Sequence, residues 1–301
     1  MKPDYEEKGI KAYLGDCLEV MPYIEDNSVD LTVTSPPYDN LRTYENDLVW
    51  NWDVFTVIAN QLYRVTKEGG VVVWVVGDAT TKGSETGTSF KQALYFKDVC
   101  GFNLHDTMIY SKASVPKNHN RYEQDFEYMF IFSKGKPNCF NSIRIPTLWP
   151  EKDGSRDGQY FKVHDEKNRA MRSGNKRKPV GNEKIKGNIW RYSVGGGQST
   201  KDKIAFNHPA IFPEKLAHDH IISWSNEGDT VLDPMMGSGT TGKMAKILNR
   251  HFIGIELSKE YFDIATRRIE DTDTLFQAVR LCPWSIWRRE GWGIEHETHS
   301  R

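Results

Sequence analysis

Six consecutive apolar residues, Val71-Val72-Val73-Trp74-Val75-Val76, follow Gly69-Gly70 with no polar alternation. A run of this length with no solvent face reads as a strand buried on both sides, the situation of a parallel sheet covered by helices. It is too short to cross a bilayer. Upstream, Val29 to Thr34 reads as another buried strand, and between the two Phe55, Ile58, Leu62 and Val65 repeat at helical spacing across Asp53 to Thr66. The unit is β-α-β.

The alternation continues in both directions. Lys11 to Gly15 reads as a short strand, Leu18 to Ile24 as a helical turn or two, Phe90 to Cys100 as a helix, and His105 to Tyr110 and Glu127 to Phe132 as strands. After an irregular stretch the pattern resumes with a helix at Glu214 to Trp224, a strand at Thr230 to Asp233, a helix at Thr240 to Leu248, a strand at Phe252 to Glu256 and a helix at Lys259 to Ile269. Strands and helices alternating on both sides of an interruption predict an α/β protein with one doubly wound, mostly parallel, Rossmann-like sheet carrying an inserted module. The expected divisions are residues 1–140, an insert at 141–200, a second half at 201–270 and a tail at 271–301. In the tail, Trp284, Trp287 and Trp292 stand among charges without periodicity.

The formal net charge of −1 hides a polarity. Between Arg144 and Arg191 stand thirteen Lys or Arg against six Asp or Glu, so the insert is strongly basic and the remainder acidic. The stretch is rich in Gly, Asn and Ser and shows no sustained helical or strand periodicity, which reads as a solvated loop able to meet phosphate. Four cysteines stand far apart with no C-x-x-C pair, the pattern of a reduced intracellular protein without a zinc ribbon. Met1 to Gly9 carries charges and no apolar core, so a secretory signal is not expected. With no apolar span either, the expectation is a cytoplasmic protein that does not meet a membrane.

Asp233-Pro234-Met235-Met236-Gly237-Ser238-Gly239-Thr240-Thr241-Gly242-Lys243 follows a strand and opens a helix. Glycines there let backbone approach a ligand at the helix N-terminus. Three readings fit. Gly237-x-Gly239-x-x-Gly242, with Glu256 at the end of the next strand, matches a dinucleotide site whose carboxylate receives ribose hydroxyls. Gly237-x-x-x-x-Gly242-Lys243 nearly spells a phosphate-binding loop, but Met244 stands where a magnesium-binding Ser or Thr is needed. The third is an S-adenosylmethionine site, with Asp233 toward the ligand's ammonium and Glu256 at its ribose. This loop does not choose between the first and the third.

A second motif chooses. Thr34-Ser35-Pro36-Pro37-Tyr38 ends a buried strand, where open α/β sheets place their ligands. Two prolines fix φ and remove two N–H donors, leaving rigid carbonyl acceptors. Such a corner suits an amino group that donates both hydrogens, one to the Ser35 hydroxyl and one to the Pro36 carbonyl. Drawn out of conjugation with its ring, the amino nitrogen gains a lone pair able to attack an electrophilic methyl, with Tyr38 placed to stack on the base.

These motifs together resemble the DNA amino-methyltransferases of permuted, β-type order, in which an S/D-P-P-Y half precedes the target-recognition region and the cofactor half follows. The likeness spans about residues 10 to 270. Asp233 to Thr241 resembles the family's D-P-x-x-G-S-G-T-T loop, and Ile253-Gly254-Ile255-Glu256 its ribose-binding strand. His208-Pro209-Ala210-Ile211-Phe212-Pro213-Glu214-Lys215-Leu216 is similar to the segment that packs on the methionine end of the cofactor. Tyr13-Leu14-Gly15-Asp16 resembles the G-D preceding the catalytic strand, and Tyr128 to Gly135 the strand lining the target-base pocket. The resemblance implies S-adenosyl-L-methionine as cofactor, no metal, and Asp16, Phe212, Pro213, Asp233, Pro234, Gly237, Gly239, Thr240, Thr241 and Glu256 as its binding residues. It implies Ser35, Pro36, Pro37 and Tyr38 as catalytic residues. The permuted order makes physical sense, because the sheet calls for a strand after Glu256 that the tail does not supply and that Lys11 to Asp16 can. Asp16 has a second reading, as a cap of the next helix.

In the resembling family Ser at the first motif position goes mostly with cytosine N4 and Asp mostly with adenine N6, so Ser35 points to N4-methylcytosine. Cytosine C5 chemistry would need a Pro-Cys nucleophile, and the chain has only Cys282-Pro283, reversed. A duplex base must leave the stack to reach the corner. Double-stranded DNA is thus the expected partner, with a cognate restriction endonuclease admitted by the resemblance in a bacterial, archaeal or phage host. Arg156, Arg169, Arg172, Lys176, Arg177 and Lys178 are the candidate DNA contacts, and Asn182 or Gln198 candidates for an adenine edge. Rival readings are an RNA or protein methyltransferase, a dinucleotide oxidoreductase that leaves the proline corner unexplained, and an inactive DNA-binding module.

Overall fold

The computed structural model describes residues 1–37, 50–112, 122–147, 181–194, 199–208, 211 and 213–272, and residues 160–164 and 170–176 by their backbone. The strands are β1 (Tyr5–Glu7), β2 (Ile10–Leu14), β3 (Val29–Thr34), β4 (Thr66–Val76), β5 (Thr80–Thr81), β6 (Ser84–Glu85), β7 (Asn103–Ser111), β8 (Phe126–Ser133), β9 (Arg144–Pro146), β10 (Tyr160–His164), β11 (Ala170–Lys176), β12 (Glu183–Ile185), β13 (Ile189–Arg191), β14 (Thr230–Asp233) and β15 (His251–Glu256). The helices are α1 (Cys17–Val20), α2 (Trp52–Val65), α3 (Thr88–Tyr95), α4 (Glu214–Trp224), α5 (Thr240–Ile247) and α6 (Lys259–Glu270).

Nine strands form one sheet in the order β1-β2-β15-β14-β3-β4-β8-β7-β13. From β2 to β4 every pairing is parallel, and β8 then runs antiparallel between β4 and β7. The N-terminal β2 lies beside β15, with Gly254 opposite Ala12 and Glu256 opposite Leu14, so the permuted order closes the sheet as expected. Helices cover both faces. Phe55, Ile58 and Leu62 of α2 join Val72, Trp74, Val76, Phe130 and Phe132 in a core that also takes in Ile253 and Ile255. On β15 the alternate residue Phe252 faces the other way, where a Cβ on Gly242 of α5 would lie 2.6 Å from its ring.

Local chemistry sets the boundaries. Asn51 caps α2 by accepting from the Val54 N–H at 2.9 Å, and Ser258 caps α6 through the Tyr261 N–H. The helix expected over Phe90 to Cys100 is interrupted: α3 ends at Tyr95 and a wider π turn, Phe96–Cys100, closes at Gly101 with φ +95°. That turn carries Phe96 into an aromatic cluster with Phe55, Trp74 and Phe132, at centroid distances of 5.4, 5.1 and 4.7 Å.

By internal contacts the chain divides into two units, Met1–Phe140 with Ile189–Arg301, and Asn141–Asn188. The basic stretch, expected as irregular loop, contains antiparallel pairs in the second unit, β9 with β12 and β10 with β11. β13 pairs in parallel with β7, so the main sheet takes up the chain again at Ile189, before residue 200 where the sequence reading ends the insert. The three-residue β9 and β12 are too short for a period of two to show in sequence, and Gly174 and Asn175 inside β11 read as turn residues. Among the described residues no helix is long and apolar enough to cross a membrane.

Candidate active site

The parallel strands β2, β15, β14, β3 and β4 end along one edge. Leu14 is opposite Glu256, Asp233 opposite Gly254, and Thr34 opposite Trp74. Open α/β sheets bind ligands outside such carboxyl ends. The edge therefore gathers Asp16, Glu256, the Asp233 loop and the proline corner from segments far apart in sequence.

At the corner, Pro36 is buried while Ser35 and Pro37 are half-buried. Thr34, wholly buried, donates from Oγ1 to Oδ1 of Asp233 at 2.8 Å. The corner and the glycine loop are thus joined directly. Thr241 Oγ1 donates to the Val33 carbonyl at 3.2 Å, which ties α5 to β3 as well.

Asp233 is 1% exposed, and its Oδ1 also accepts the Met235 N–H at 3.2 Å. Burial pushes its carboxyl up to about 6, against the opposing pull of the Thr34, Thr241 and Met235 hydrogen bonds. Among the described residues no Lys or Arg pairs with it. What Asp233 offers a cation on the loop is the field of an uncompensated buried charge rather than an open carboxylate.

Glu256 holds the loop from the next strand. Its Oε2 accepts the Gly237 N–H and its Oε1 the Ser258 N–H, both at 2.8 Å. Burial raises its carboxyl above the usual range, opposed by these two N–H groups. Each oxygen retains a lone pair for a hydroxyl donor. Gly237 has φ +50°, and a Cβ there would stand 2.9 Å from Nε2 of His208, so glycine leaves the loop pressed against that ring. His208 in turn packs edge-on against Tyr261, with centroids 4.3 Å apart. Asp16 is the N-cap of α1, accepting the Leu18 N–H at 2.8 Å. The Gly15 N–H donates to the Glu256 carbonyl at 2.9 Å, which keeps Asp16 at the same edge.

Pro213 precedes α4 and is buried, and Pro234, Gly239 and Thr240 lie on the loop and the start of α5. Tyr38, Phe212, Arg156, Arg169, Arg177, Lys178 and Gln198 fall outside the described residues, and Arg172 and Lys176 are placed only as backbone of β11. Asn182 is exposed in the second unit, its carbonyl accepting the Thr147 N–H at 2.9 Å.

Lys243, the lysine of the near phosphate loop, does not face a ligand. Its Nζ donates to Asp202 Oδ2 at 2.7 Å and to Glu214 Oε1 at 2.8 Å, with its side chain 7% exposed. Sequence spacing alone did not show this, nor the part played by Arg268, whose guanidinium is buried under the same loop.

Comparison with known proteins gives the family. The profile of the N6/N4 DNA methylase family matches residues 29–267. The chain belongs to this family. It is 56% identical over 264 residues to the orphan methyltransferase M.BamHII of Bacillus amyloliquefaciens, covering 87% of this chain and 92% of that one. It is 32% identical over 270 residues to the type II methyltransferase M.BglII of Bacillus subtilis, covering 85% and 67%. Among solved structures, the PvuII cytosine-N4-specific DNA methyltransferase shares the fold at TM-score 0.63 and 24% identity, covering 92% of this chain and 95% of that one. A modification methylase of Thermus thermophilus complexed with S-adenosyl-L-methionine does so at 0.55 and 22%, covering 86% and 93%.

The family is one of enzymes acting on DNA with S-adenosylmethionine as methyl donor. The edge has groups that fit that molecule: a buried anion without a cation at Asp233, a carboxylate with spare acceptor capacity at Glu256, and a glycine loop closed on His208.

Proposed function

We propose that this DNA methylase transfers the methyl group of S-adenosylmethionine to the exocyclic N4 amino group of a cytosine turned out of double-stranded DNA. The reading rests on one juxtaposition: the Ser35-Pro36-Pro37 corner at the end of β3 is tied through Thr34 to the carboxylate of the glycine loop. The bound cofactor supplies an electrophilic methyl. The chain's own residues supply the rest. Glu256 receives ribose hydroxyls, the loop around Gly237 and Gly239 lets backbone close on the ligand, and the negative field of Asp233 favours its cationic end. Asp16, Phe212, Pro213, Pro234, Thr240 and Thr241 complete the proposed pocket.

At the corner the Ser35 hydroxyl accepts one amino hydrogen and the Pro36 carbonyl the other. Held so, the amino group leaves conjugation and would present its lone pair to the methyl, the neutral thioether of the spent donor being the leaving group and the extra proton on nitrogen passing to water, with no covalent bond to the protein. Tyr38 stacks on the displaced base. Extrusion from the duplex costs a few kcal/mol, which phosphate contacts offset. Arg156, Arg169, Arg172, Lys176, Arg177 and Lys178 in the basic segment are the proposed source of those contacts.

Ser35 favours cytosine N4 over adenine N6. The test is to incubate the protein with methyl-labelled S-adenosylmethionine and unmethylated duplex DNA, digest to nucleosides and identify the labelled species by mass spectrometry. N4-methylcytosine is expected. N6-methyladenine would keep the fold and the corner chemistry and discard the inference from Ser35, whereas label on neither would overturn the reading.

A further inference from the structure

Under the glycine loop two cations and two anions form one cluster, buried except at Asp202. Arg268 and Lys243 have side chains 0% and 7% exposed, and Glu214 and Asp202 12% and 23%. They come from four separate segments: α6, α5, the first residue of α4, and the stretch before Lys203. Arg268 Nε donates to Asp202 Oδ2 at 3.0 Å and Nη2 to Glu214 Oε1 at 2.9 Å, while Lys243 donates to the same two oxygens. Thr200 Oγ1 donates to Glu214 Oε1 at 2.6 Å. Burial alone would push the Asp202 carboxyl up, yet the hydrogen bonds and charges of Lys243 and Arg268 outweigh it and hold it below the ordinary range.

Such a cluster is a poor source of stability. Desolvating four charges costs about what their attraction returns, and apolar replacements of the same volume often serve as well. Its geometry is more specific than its energy. The remaining nitrogen of Arg268, Nη1, donates to the Ser238 carbonyl, to Ser238 Oγ at 3.1 Å and to Thr240 Oγ1 at 3.2 Å. These partners flank Gly239, where φ is +75° and a Cβ would lie 2.8 Å from Cβ of Ala265. Ala265 and Arg268 stand three residues apart on one face of α6. One admits the glycine by being small, and the other grips the loop on either side of it.

We infer that Arg268 is a positioning residue for the methyl-donor site: its planar guanidinium, anchored through Nη2 on Glu214, sets the conformation of Ser238-Gly239-Thr240 that receives the cofactor. This rests on the reading of the glycine loop as the S-adenosylmethionine site. A lysine cannot replace it, because one ammonium cannot reach the acid pair and the loop together.

Three variants separate positioning from mere stability. Arg268→Gln removes the fork, Arg268→Lys keeps the charge without the fork, and Asp202→Asn weakens the cluster while leaving Arg268 its bonds to the loop and to Glu214. Binding of S-adenosylmethionine to each folded variant is followed by calorimetry, melting by circular dichroism, and turnover on duplex DNA by the split between KM for the cofactor and kcat. Both Arg268 variants are expected to bind the cofactor about tenfold or more weakly, the scale of lost charge-assisted hydrogen bonds, with KM rising more than kcat falls. Asp202→Asn is expected to lower the melting temperature with affinity within about threefold. Affinity that tracks melting temperature across all three, or full affinity in Arg268→Lys, overturns the inference. Wild-type protein that binds no S-adenosylmethionine would instead overturn the reading on which it rests.

Discussion

Thr34 and Asp233, 199 residues apart in sequence, share a buried hydrogen bond of 2.8 Å from hydroxyl to carboxylate. Thr34 immediately precedes the serine of the proline corner, and Asp233 opens the glycine loop. The bond therefore fixes the distance between the two halves of the proposed reaction and favours the charged form of a carboxylate that burial opposes. Thr34→Val keeps the shape of the side chain and removes the donor. Affinity for S-adenosylmethionine is expected to fall about tenfold near neutral pH, by loss of a hydrogen bond to a charged group. The loss should be greater at pH 6.5 than at pH 8.5, because the Asp233 carboxyl rises further without Thr34. Calorimetric titration at the two pH values checks this, and equal affinities of variant and wild type at both would refute it.

Asp233 also makes the loop costly to fold. Its carboxyl sits at about 6 in the folded chain, above the unfolded value of about 3.9, so the folded state holds the proton more tightly. The contribution to stability is then full below the unfolded value and is lost as pH rises through about 6. A rise of about two units corresponds to roughly 3 kcal/mol. Asp233→Asn should therefore be more stable than wild type at pH 7.5 without cofactor, lose that advantage at pH 4.5, and bind S-adenosylmethionine weakly at both. Urea unfolding of the two proteins at each pH measures it, and a pH-independent difference between them would contradict the assignment.

In the proposed reaction the corner and the loop divide the work. Ser35→Ala removes the proposed acceptor for the reacting amino group, and transfer should slow by on the order of 100-fold, as when one preorganised polar group is deleted from an active site. Pro36→Ala keeps the carbonyl and frees φ, so its loss should be smaller, about tenfold. Neither should change cofactor affinity beyond about twofold, whereas Asp233→Ala weakens binding itself. Single-turnover rates beside binding constants decide it. Equal loss of cofactor affinity in all three variants would sink the division.

Much of the fold around the candidate site was legible because its elements carry local signals. Val29–Thr34, Glu214–Trp224 and Thr230–Asp233 occur at the residues where apolar runs and helical spacing put them. Glycine, proline and acidic residues at strand ends then mark the edge. What was not legible depends on partners distant in sequence. Lys243 spells a phosphate ligand by its spacing, yet Asp202 and Glu214, 41 and 29 residues away, draw it into a buried cluster. Arg268 looks like any surface arginine of an amphipathic helix until α6 packs on the loop. Asp16 proved a helix cap at the carboxyl edge of the sheet, a placement that the G-D motif alone does not show. The pairs β9 with β12 and β10 with β11 are formed by residues whose composition reads as loop.

The basic segment carries the last prediction. Each phosphate neutralised by Lys or Arg releases condensed counterions, so the logarithm of DNA affinity falls with the logarithm of salt by about 0.9 per contact. Replacing Arg177 and Lys178 together by Gln should flatten that slope by about two if both meet phosphate. The loss should be similar for specific and unrelated DNA, since phosphate contacts carry no sequence information. Cofactor affinity should stay at the wild-type value, because neither residue belongs to the proposed donor pocket. Fluorescence anisotropy across a salt series measures the slope. An unchanged slope would leave Arg156, Arg169, Arg172 and Lys176 as the phosphate contacts, and a loss confined to one sequence would make Arg177 or Lys178 a reader of base edges instead.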